Sequence, residues 1–364
     1  MGFDIFLLLV SFVIIIVGAE LFTNAVEGLG VRLNLSEATV GSVLAAVGTA
    51  LPETLIPFVA IIFFKEAESH EIGVGAILGA PFMLATLAFF VTAAAAWAYR
   101  RRRRWGWRLH VNRRVVSRDI GFFLPLYGAA IGVSFAPVGH WGRWAVALGL
   151  LAAYGCYLYL NLRETMEGEK EELLTFNTIW AWLPLLRPVP DRGAHQARLQ
   201  FLEGRRPRLR AVLGQVLVAL GFIIVGAYEF VHATREICLT IGFPPLVLAL
   251  IVAPVATELP EKLNSVIWIR QSKDTLSLGN ITGAMVFQST IPVTLGMLLT
   301  EWHFRASDTG SAALLSAGIA LFSGAIVLAT VRGGRSETMA PWALAVGIVW
   351  WLAFAGYVLV RHVL

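Results

Sequence analysis

The sequence is poor in cysteine and in charge. Its 364 residues include two cysteines, Cys156 and Cys238, both in apolar surroundings. Such a pair excludes a disulfide framework and a thiolate metal cluster. Charged residues make up 15% of the chain, against about 25% in a typical soluble domain. Hydrophobic residues make up 57%, so the composition argues against a soluble globular protein.

Apolar runs of helical length recur from end to end. We predict an all-α integral membrane protein with ten transmembrane helices, each near or above the roughly 20 residues that cross a bilayer. The predicted spans are 3–28, 37–64, 72–99, 119–138, 142–162, 210–234, 244–270, 275–299, 309–331 and 340–362. The first run lacks a basic start and a small-residue cleavage site, so we interpret it as a retained span rather than a signal peptide.

Lysine and arginine concentrate in alternate loops. If the N-terminus faces outside, 23 of the 29 basic residues lie in inside loops, in the long connection 163–209 or directly after it at Arg210. Basic loops remain cytoplasmic. We therefore predict a protein of the cell (inner) membrane with both termini outside and 163–209 in the cytoplasm. The net charge of +5 then indicates orientation, not nucleic acid binding, although the arginine runs would also attract anionic lipid.

The sequence contains an internal repeat. The stretches that start at Ile16 and Ile224 align without a gap and end in GTALPE at 48–53 and ATELPE at 256–261. The following span also repeats, as GVGAILGAPFM at 73–83 and SLGNITGAMVF at 277–287. Because each half has five spans, the second half enters the membrane from the opposite side. We predict two inverted five-helix repeats, 1–162 and 210–364, joined by the connection 163–209.

Each repeat places a proline and a glutamate inside an apolar span, Pro52–Glu53 and Pro260–Glu261. A proline removes a backbone donor and frees a carbonyl, and lipid offers no water to satisfy that carbonyl. We therefore predict broken helices at the midplane, facing protein or a watery cavity. The alternative is that both glutamates are protonated structural acids.

Hard oxygen donors surround these predicted breaks. Glu53 and Glu261 supply carboxylates, and Thr49 and Thr257 supply hydroxyls. Such ligands suit Ca²⁺ or Na⁺, whereas a transition metal would favour His or Cys. Small residues on the third and eighth spans are expected to allow close helix packing; they are Gly75, Gly79, Ala80, Gly279, Gly283 and Ala284.

The paired motifs resemble those of the cation/calcium exchanger superfamily, specifically sodium/calcium exchanger membrane proteins. The family pattern is GTSLPE in each repeat, followed one span later by GNxxGSNxxN. The resemblance implies a secondary active antiporter that exchanges Ca²⁺ or a related cation for Na⁺ by alternating access. Ca²⁺ and Na⁺ (or H⁺) would be transported ligands, and no cofactor is expected. The implied partners are membrane lipid and inorganic cations, and the oligomeric state stays open.

The resemblance also implies a ligand set. Glu53 and Glu261 would hold the exchanged cations as the metal ligands. Further ligands would be the motif threonines, the backbone carbonyls three residues before them, and a polar residue of the eighth span: Thr49, Thr257, Ala46, Pro254 and Gln288.

The sequence departs from the family pattern at several of these positions. The serines are replaced by Ala50, Glu258, Ala80 and Ala284, and the polar residue of the third span by Leu84. The new Glu258 lies four residues before Lys262, a spacing that allows an ion pair on one helix face. We hypothesise that the Lys262 ammonium replaces a bound Na⁺ and that Glu258 carries a proton. Alternatively, Lys262 snorkels to the interface and Glu258 faces a vestibule.

Other functions fit the sequence less well. A cation/H⁺ antiporter that uses Glu258 and the motif glutamates is the nearest alternative. The missing serines also allow a transport-altered scaffold of the same fold, and a channel is a further alternative. An enzyme is not expected, because the chain has no nucleophile motif, no HExxH pattern and no cofactor loop.

Overall fold

The structure, a computed structural model, describes residues 1–32, 45–135, 138–167, 209–304, 308–334 and 337–362. These residues are almost wholly helical. The elements are α1 (Gly2–Arg32), α2 (Ala45–Ile62), α3 (Ala67–Met83), a π-helical turn (Leu84–Ala88), α4 (Phe89–Ala98), β1 (Leu109–His110), α5 (Arg113–Val133), α6 (His140–Glu167), α7 (Leu209–Ile241), α8 (Pro245–Arg270), α9 (Asp274–Gln288), α10 (Ile291–Leu299), α11 (Asp308–Gly333), β2 (Thr338–Met339), α12 (Trp342–Ala345) and α13 (Gly347–His362).

Each predicted span overlaps one helix or two consecutive helices. In the described part of the chain, seven helices are long and apolar enough to cross a membrane, and two shorter apolar helices cover Leu51–Ile62 and Pro245–Val255. The helical membrane architecture is therefore confirmed. The full layout of ten spans in two inverted repeats, and the boundaries 1–162, 163–209 and 210–364, stay predictions.

The first helix shows why exposed apolar residues are expected here. Phe3, Phe6, Leu9 and Val13 of α1 are 56–71% exposed, and their spacing of three or four residues forms a single stripe. In water such a stripe would be unfavourable, but in a bilayer it faces hydrocarbon chains. The other face of α1 packs on α7.

The packing of α1 on α7 is reciprocal. A Cβ added to Gly18 would lie 2.8 Å from the Ile223 side chain, and a Cβ added to Gly226 would lie 2.7 Å from Ile15. Gly18 and Gly226 are 208 residues apart, which is the offset of the repeat, and so are Ile15 and Ile223. The two contacts therefore join equivalent positions. Phe12 stacks on Phe230 with ring centroids 5.7 Å apart, so the two helices run antiparallel. Antiparallel first helices are what an inverted repeat requires.

The helix breaks differ from the prediction. Helix α2 continues through Pro52 and Pro57, and α8 continues through Pro260. The expected breaks at the TxLPE motifs are therefore wrong as interruptions of the helix, because the remaining hydrogen bonds of the flanking turns keep the backbone helical. Interruptions occur instead in the third and eighth spans. The π-helical turn follows α3, and Ser289 and Thr290 separate α9 from α10.

The tightest helix crossing joins α3 to α8. A Cβ on Gly75 would overlap the Leu246 carbonyl oxygen, and a Cβ on Gly79 would overlap that of Leu250. Pro254 has no N–H to donate to Leu250, so this freed carbonyl faces the Gly79 backbone. Close packing is thus confirmed for these two glycines. Their repeat partners behave differently, since an added Cβ on Gly283 would lie 3.3 Å from the Tyr157 hydroxyl.

One end of the bundle is joined by a buried ion pair. Arg103, in the basic loop after α4, donates to both carboxylate oxygens of Asp274 at 2.5 Å, and both side chains are 0% exposed. Arg103 also donates to the Ile269 carbonyl at 2.9 Å. Nearby, β1 pairs antiparallel with β2. Loops predicted on the cytoplasmic side therefore meet. Arg103, predicted to be one of the basic residues that orient the protein, also joins two of these loops.

Loops predicted on the outer side meet at the opposite end. They line an open cavity of about 770 Å³ that includes His70, Arg143 and His303. Arg143 contacts His303 Nδ1 at 3.1 Å and donates to the Thr300 carbonyl at 3.3 Å. The predicted inner and outer loops thus separate into two groups, while the orientation of the termini stays a prediction.

Candidate cation site

A small cavity lies between α2, α3 and α8. Its volume is about 10 Å³, and its walls are Glu53, Ile56, Ala76, Ala80, Ala253, Pro254 and Thr257. A cavity of about this size admits one water-sized sphere. The site therefore has room for a single small species.

Helical spacing explains why these residues share the cavity. Positions three or four apart lie on one helix face. Glu53 and Ile56 meet this condition on α2, Ala76 and Ala80 on α3, and Ala253 and Thr257 on α8. Glu53, Thr257 and Pro254 were predicted from the motifs of both repeats, and the structure brings all three to one cavity.

Glu53 is the charged group of the site. Its side chain is 6% exposed, and Gln288 Nε2 donates to its Oε2. Gln288, at the end of α9, is 1% exposed, and its Oε1 has no hydrogen-bond partner among the described residues. A hydrogen bond between the two halves thus holds the carboxylate, while Gln288 itself does not line the cavity.

Among the described residues, Thr257 supplies the one hydroxyl group of the cavity wall. Thr257 Oγ1 donates to the Ala253 carbonyl at 3.3 Å, which leaves its lone pairs for a cation. Ala80 forms part of the cavity wall. Ala80 is one of the positions at which the sequence departs from the family motif. Its replacement of the family serine therefore removes an oxygen from the site itself.

The remaining predicted residues are only partly placed. Glu258 is 0% exposed and does not line the cavity; this burial does not fit the alternative in which it faces a vestibule. The side chains of Ala46, Thr49, Glu261 and Lys262 lie outside the described part of the structure. Their proposed roles, including the Glu258–Lys262 pair, stay predictions.

Sequence reasoning missed the apolar walls Ile56, Ala76 and Ala253. Each lies three or four residues from a predicted site residue, so helical periodicity from Glu53, Ala80 and Thr257 would have found them. Their apolar character matters because apolar walls lower the local dielectric constant, which strengthens the attraction between a carboxylate and a cation.

The chain belongs to the sodium/calcium exchanger protein family, which matches residues 3–163 and 211–362. The suspected family is thereby confirmed, and the protein is an integral membrane protein. CaxA of Alkalimonas amylolytica, which is named as an antiporter, is 26% identical over 145 residues. That match covers 39% of this chain and 43% of CaxA, so the chain aligns with less than half of that relative.

Solved structures share the fold. The crystal structure of the H⁺/Ca²⁺ exchanger CAX has a TM-score of 0.67 at 16% identity, covering 98% of this chain and 86% of CAX. Native YfkE gives 0.62 at 12%, covering 97% and 92%. The sodium-calcium exchanger NCX_Mj gives 0.52 at 15%, covering 97% and 98%. At these identities the likeness establishes the fold alone.

Proposed function

We propose that this protein is a secondary antiporter that binds one Ca²⁺ or related hard cation at Glu53 and exchanges it for protons. The observation that carries this proposal is the cavity of about 10 Å³ with a buried carboxylate in its wall. A buried carboxylate in a membrane transporter can bind either a cation or a proton. Exchange of the two at one site is then a competition for the same oxygens.

The ligand chemistry favours protons as the counter-ion. Carboxylates bind protons directly and serve as proton relays in membrane transporters. Binding several Na⁺ ions would require additional oxygen ligands, yet Ala80 supplies none to the cavity wall. Glu258 adds a buried carboxylate on α8, one residue after Thr257. Among the described side chains of this region, carboxylates therefore outnumber hydroxyl groups, which supports Ca²⁺/H⁺ exchange.

The similar proteins are consistent with this class of function. CAX is described as an H⁺/Ca²⁺ exchanger, and CaxA is named as an antiporter. Exchange of Ca²⁺ for Na⁺ is the second candidate. It is favoured by the TxLPE sequence in both repeats, which resembles that of sodium/calcium exchangers, and by the Thr257 hydroxyl on the cavity.

Gradient-driven uptake tests the proposal. Purified protein in liposomes would receive external radiolabelled Ca²⁺ under an outward H⁺ gradient, and separately under an outward Na⁺ gradient. We expect H⁺-driven uptake that Glu53→Gln abolishes. Glu66→Gln, in the exposed turn between α2 and α3, is the matched control and should transport normally. Uptake driven only by Na⁺ would contradict proton exchange and support the second candidate, exchange of Ca²⁺ for Na⁺. No uptake under either gradient would contradict Ca²⁺ exchange altogether.

A further inference from the structure

A second acidic group lies buried outside the cation site. Asp119 of α5 is 1% exposed, six residues into the helix from Arg113. It does not line the cavity at Glu53. Ionisable residues at membrane depth are rare, and they commonly mark proton or ion pathways. The surroundings of Asp119 show which of these applies.

Two hydroxyl groups hold the carboxylate. Thr282 Oγ1 of α9 donates to Asp119 Oδ2 at 2.7 Å, and the Tyr157 hydroxyl of α6 donates to Oδ1 at 3.2 Å. Arg118 Nε lies 3.6 Å from Oδ1. A bound metal cation would compete with this guanidinium, so a proton is the better-suited ligand.

The hydroxyl partners allow Asp119 to exist with or without a proton. A hydroxyl both donates and accepts. When Asp119 takes up a proton at Oδ2, that O–H can donate to Thr282 Oγ1. The Thr282 proton can then turn towards the Gly279 carbonyl, which lies 3.5 Å from Oγ1. The charge of the cluster changes by one, and every partner keeps a hydrogen bond.

Asp274 provides the contrast. Its carboxylate receives N–H groups, from Arg103 Nη2 at 2.5 Å and from the His110 backbone at 2.8 Å. An N–H of this kind cannot accept a hydrogen bond, so a protonated Asp274 would leave its new O–H facing donors. The hydrogen bonds of Asp274 therefore favour its ionised form, whereas those of Asp119 suit both forms.

The same helix connects Asp119 to the cation site. Thr282 and Gln288 both belong to α9, and six helical residues rise about 9 Å. Gln288 donates to Glu53. Protonation of Asp119 reverses its hydrogen bond with Thr282 and thereby changes how α9 is held. At the end of this helix Gln288 contacts the Glu53 carboxylate, so α9 links the two acidic groups.

We propose that Asp119 is a proton-binding site that couples protons to the cation site through α9. Its role in transport rests on the proposed exchange of cations for protons. Protons would reach it past Arg118, whose side chain is 13% exposed and whose Nη2 donates to Asn161 at 2.5 Å. Because the helix end at Arg113 is predicted to be cytoplasmic, the proton would come from that side.

The charged and titratable neighbours of Asp119 are few among the described residues. Arg118 is on α5 itself, Tyr157 is on α6, and α9 contributes the neutral Thr282. From α11, Arg332 Nη2 lies 3.6 Å from where a Cβ of Gly121 would stand. Arginine stays protonated throughout the accessible pH range. The charges of Arg118 and Arg332 therefore stay fixed, and Asp119 is the group of this cluster that can gain a proton.

Infrared difference spectroscopy of the purified protein tests this site without requiring transport. The carbonyl stretch of a protonated buried acid would be compared between alkaline and acid buffer. We expect a band that Asp119→Asn removes and that Thr282→Val shifts, because valine cannot accept the carboxyl proton. Glu337→Gln is the control, since Glu337 is 83% exposed and its removal should leave the band unchanged.

Two further results complete the test. Wild-type Ca²⁺ uptake should depend on cytoplasmic-side pH. Asp119→Asn should weaken this dependence to the part that arises at Glu53, while Asp119→Glu retains it. If Asp119→Asn does not fold, the proposal is tested by whether Thr282→Val shifts the infrared band. Identical spectra for wild type and Thr282→Val, or for wild type and Asp119→Asn, would overturn the proposal. A wild type that shows the band but transports no Ca²⁺ would contradict the proposed function and leave Asp119 as a proton site.

Discussion

Gly18 packs against Ile223, and its repeat partner Gly226 packs against Ile15. The two contacts exchange the same two residue positions, as the contacts across a two-fold axis do. Neither helix alone requires this correspondence. The relationship therefore agrees with the predicted inverted repeats, whose two-fold axis would then pass between α1 and α7.

The reciprocal contact predicts equal effects from equivalent substitutions. Gly18→Val and Gly226→Val should each slow cation uptake strongly, because each new side chain meets an isoleucine and its backbone within about 3 Å and forces α1 and α7 apart. Uptake initial rates and thermal unfolding in detergent would be measured together. Gly221→Val is the control, since nothing lies within 4 Å of that position. A large loss from only one of the two variants would argue against a two-fold relation.

The cavity wall predicts opposite effects of two substitutions at Ala80. Ala80→Ser adds an oxygen and should tighten cation binding by about tenfold to a hundredfold, since a hydrogen-bond-like contact to a charged group contributes about 1.5–3 kcal/mol. Ala80→Val adds two methyl groups to a cavity of about 10 Å³ and should abolish binding. Calorimetric titration with Ca²⁺ would measure both. Wild-type affinity in Ala80→Val would show that the cation binds elsewhere.

The buried pair Arg103–Asp274 predicts a test by double substitution. Arg103→Met alone should lower the free energy of unfolding by about 3–5 kcal/mol, because it leaves a buried carboxylate without its partner. Arg103→Met with Asp274→Leu should recover most of this loss, since buried ion pairs are often replaceable by apolar residues. Thermal unfolding would be compared with that of Arg104→Met, an exposed control. A double variant no more stable than the single one would contradict this interpretation.

The crossing of α3 and α8 predicts that Gly79→Ala destabilises the protein. The new methyl group would overlap the Leu250 carbonyl, and overpacking of this kind costs about 1–3 kcal/mol. The melting temperature should fall by several degrees, whereas Gly128→Ala, with open space around it, should not lower it. An unchanged melting temperature in Gly79→Ala would mean that the helices are free to separate.

The sequence predicted those features that depend on local pattern. Hydropathy located the helices, and the repeated motif identified Glu53 and Thr257, because both follow from residues that are close in the chain. It missed the pairing of Arg103 with Asp274 and the cluster around Asp119. Those partners are distant in sequence, and no periodicity links a loop arginine to a particular carboxylate.

The prediction that the helices break at the motif prolines was wrong for a different reason. A proline removes one hydrogen bond, but the backbone of α8 stays helical through Pro254 and Pro260. The interruption in the eighth span falls instead at Thr290, whose backbone has φ −122° and ψ −74°. Ser289 and Thr290 donate to the Val286 carbonyl at 2.8 and 2.9 Å. Such side-chain hydrogen bonds compete with the helix, and sequence pattern alone does not show where they prevail.

The most direct measurement is the movement of protons that accompanies Ca²⁺. Proteoliposomes that contain a trapped pH-sensitive dye would receive external Ca²⁺ in Na⁺-free buffer, with the membrane potential clamped. We predict that the lumen becomes more alkaline as Ca²⁺ enters and that Glu53→Gln abolishes both the Ca²⁺ and the pH signal. Ca²⁺ entry without any pH change, or an equal pH signal in Glu53→Gln, would contradict proton exchange at this site.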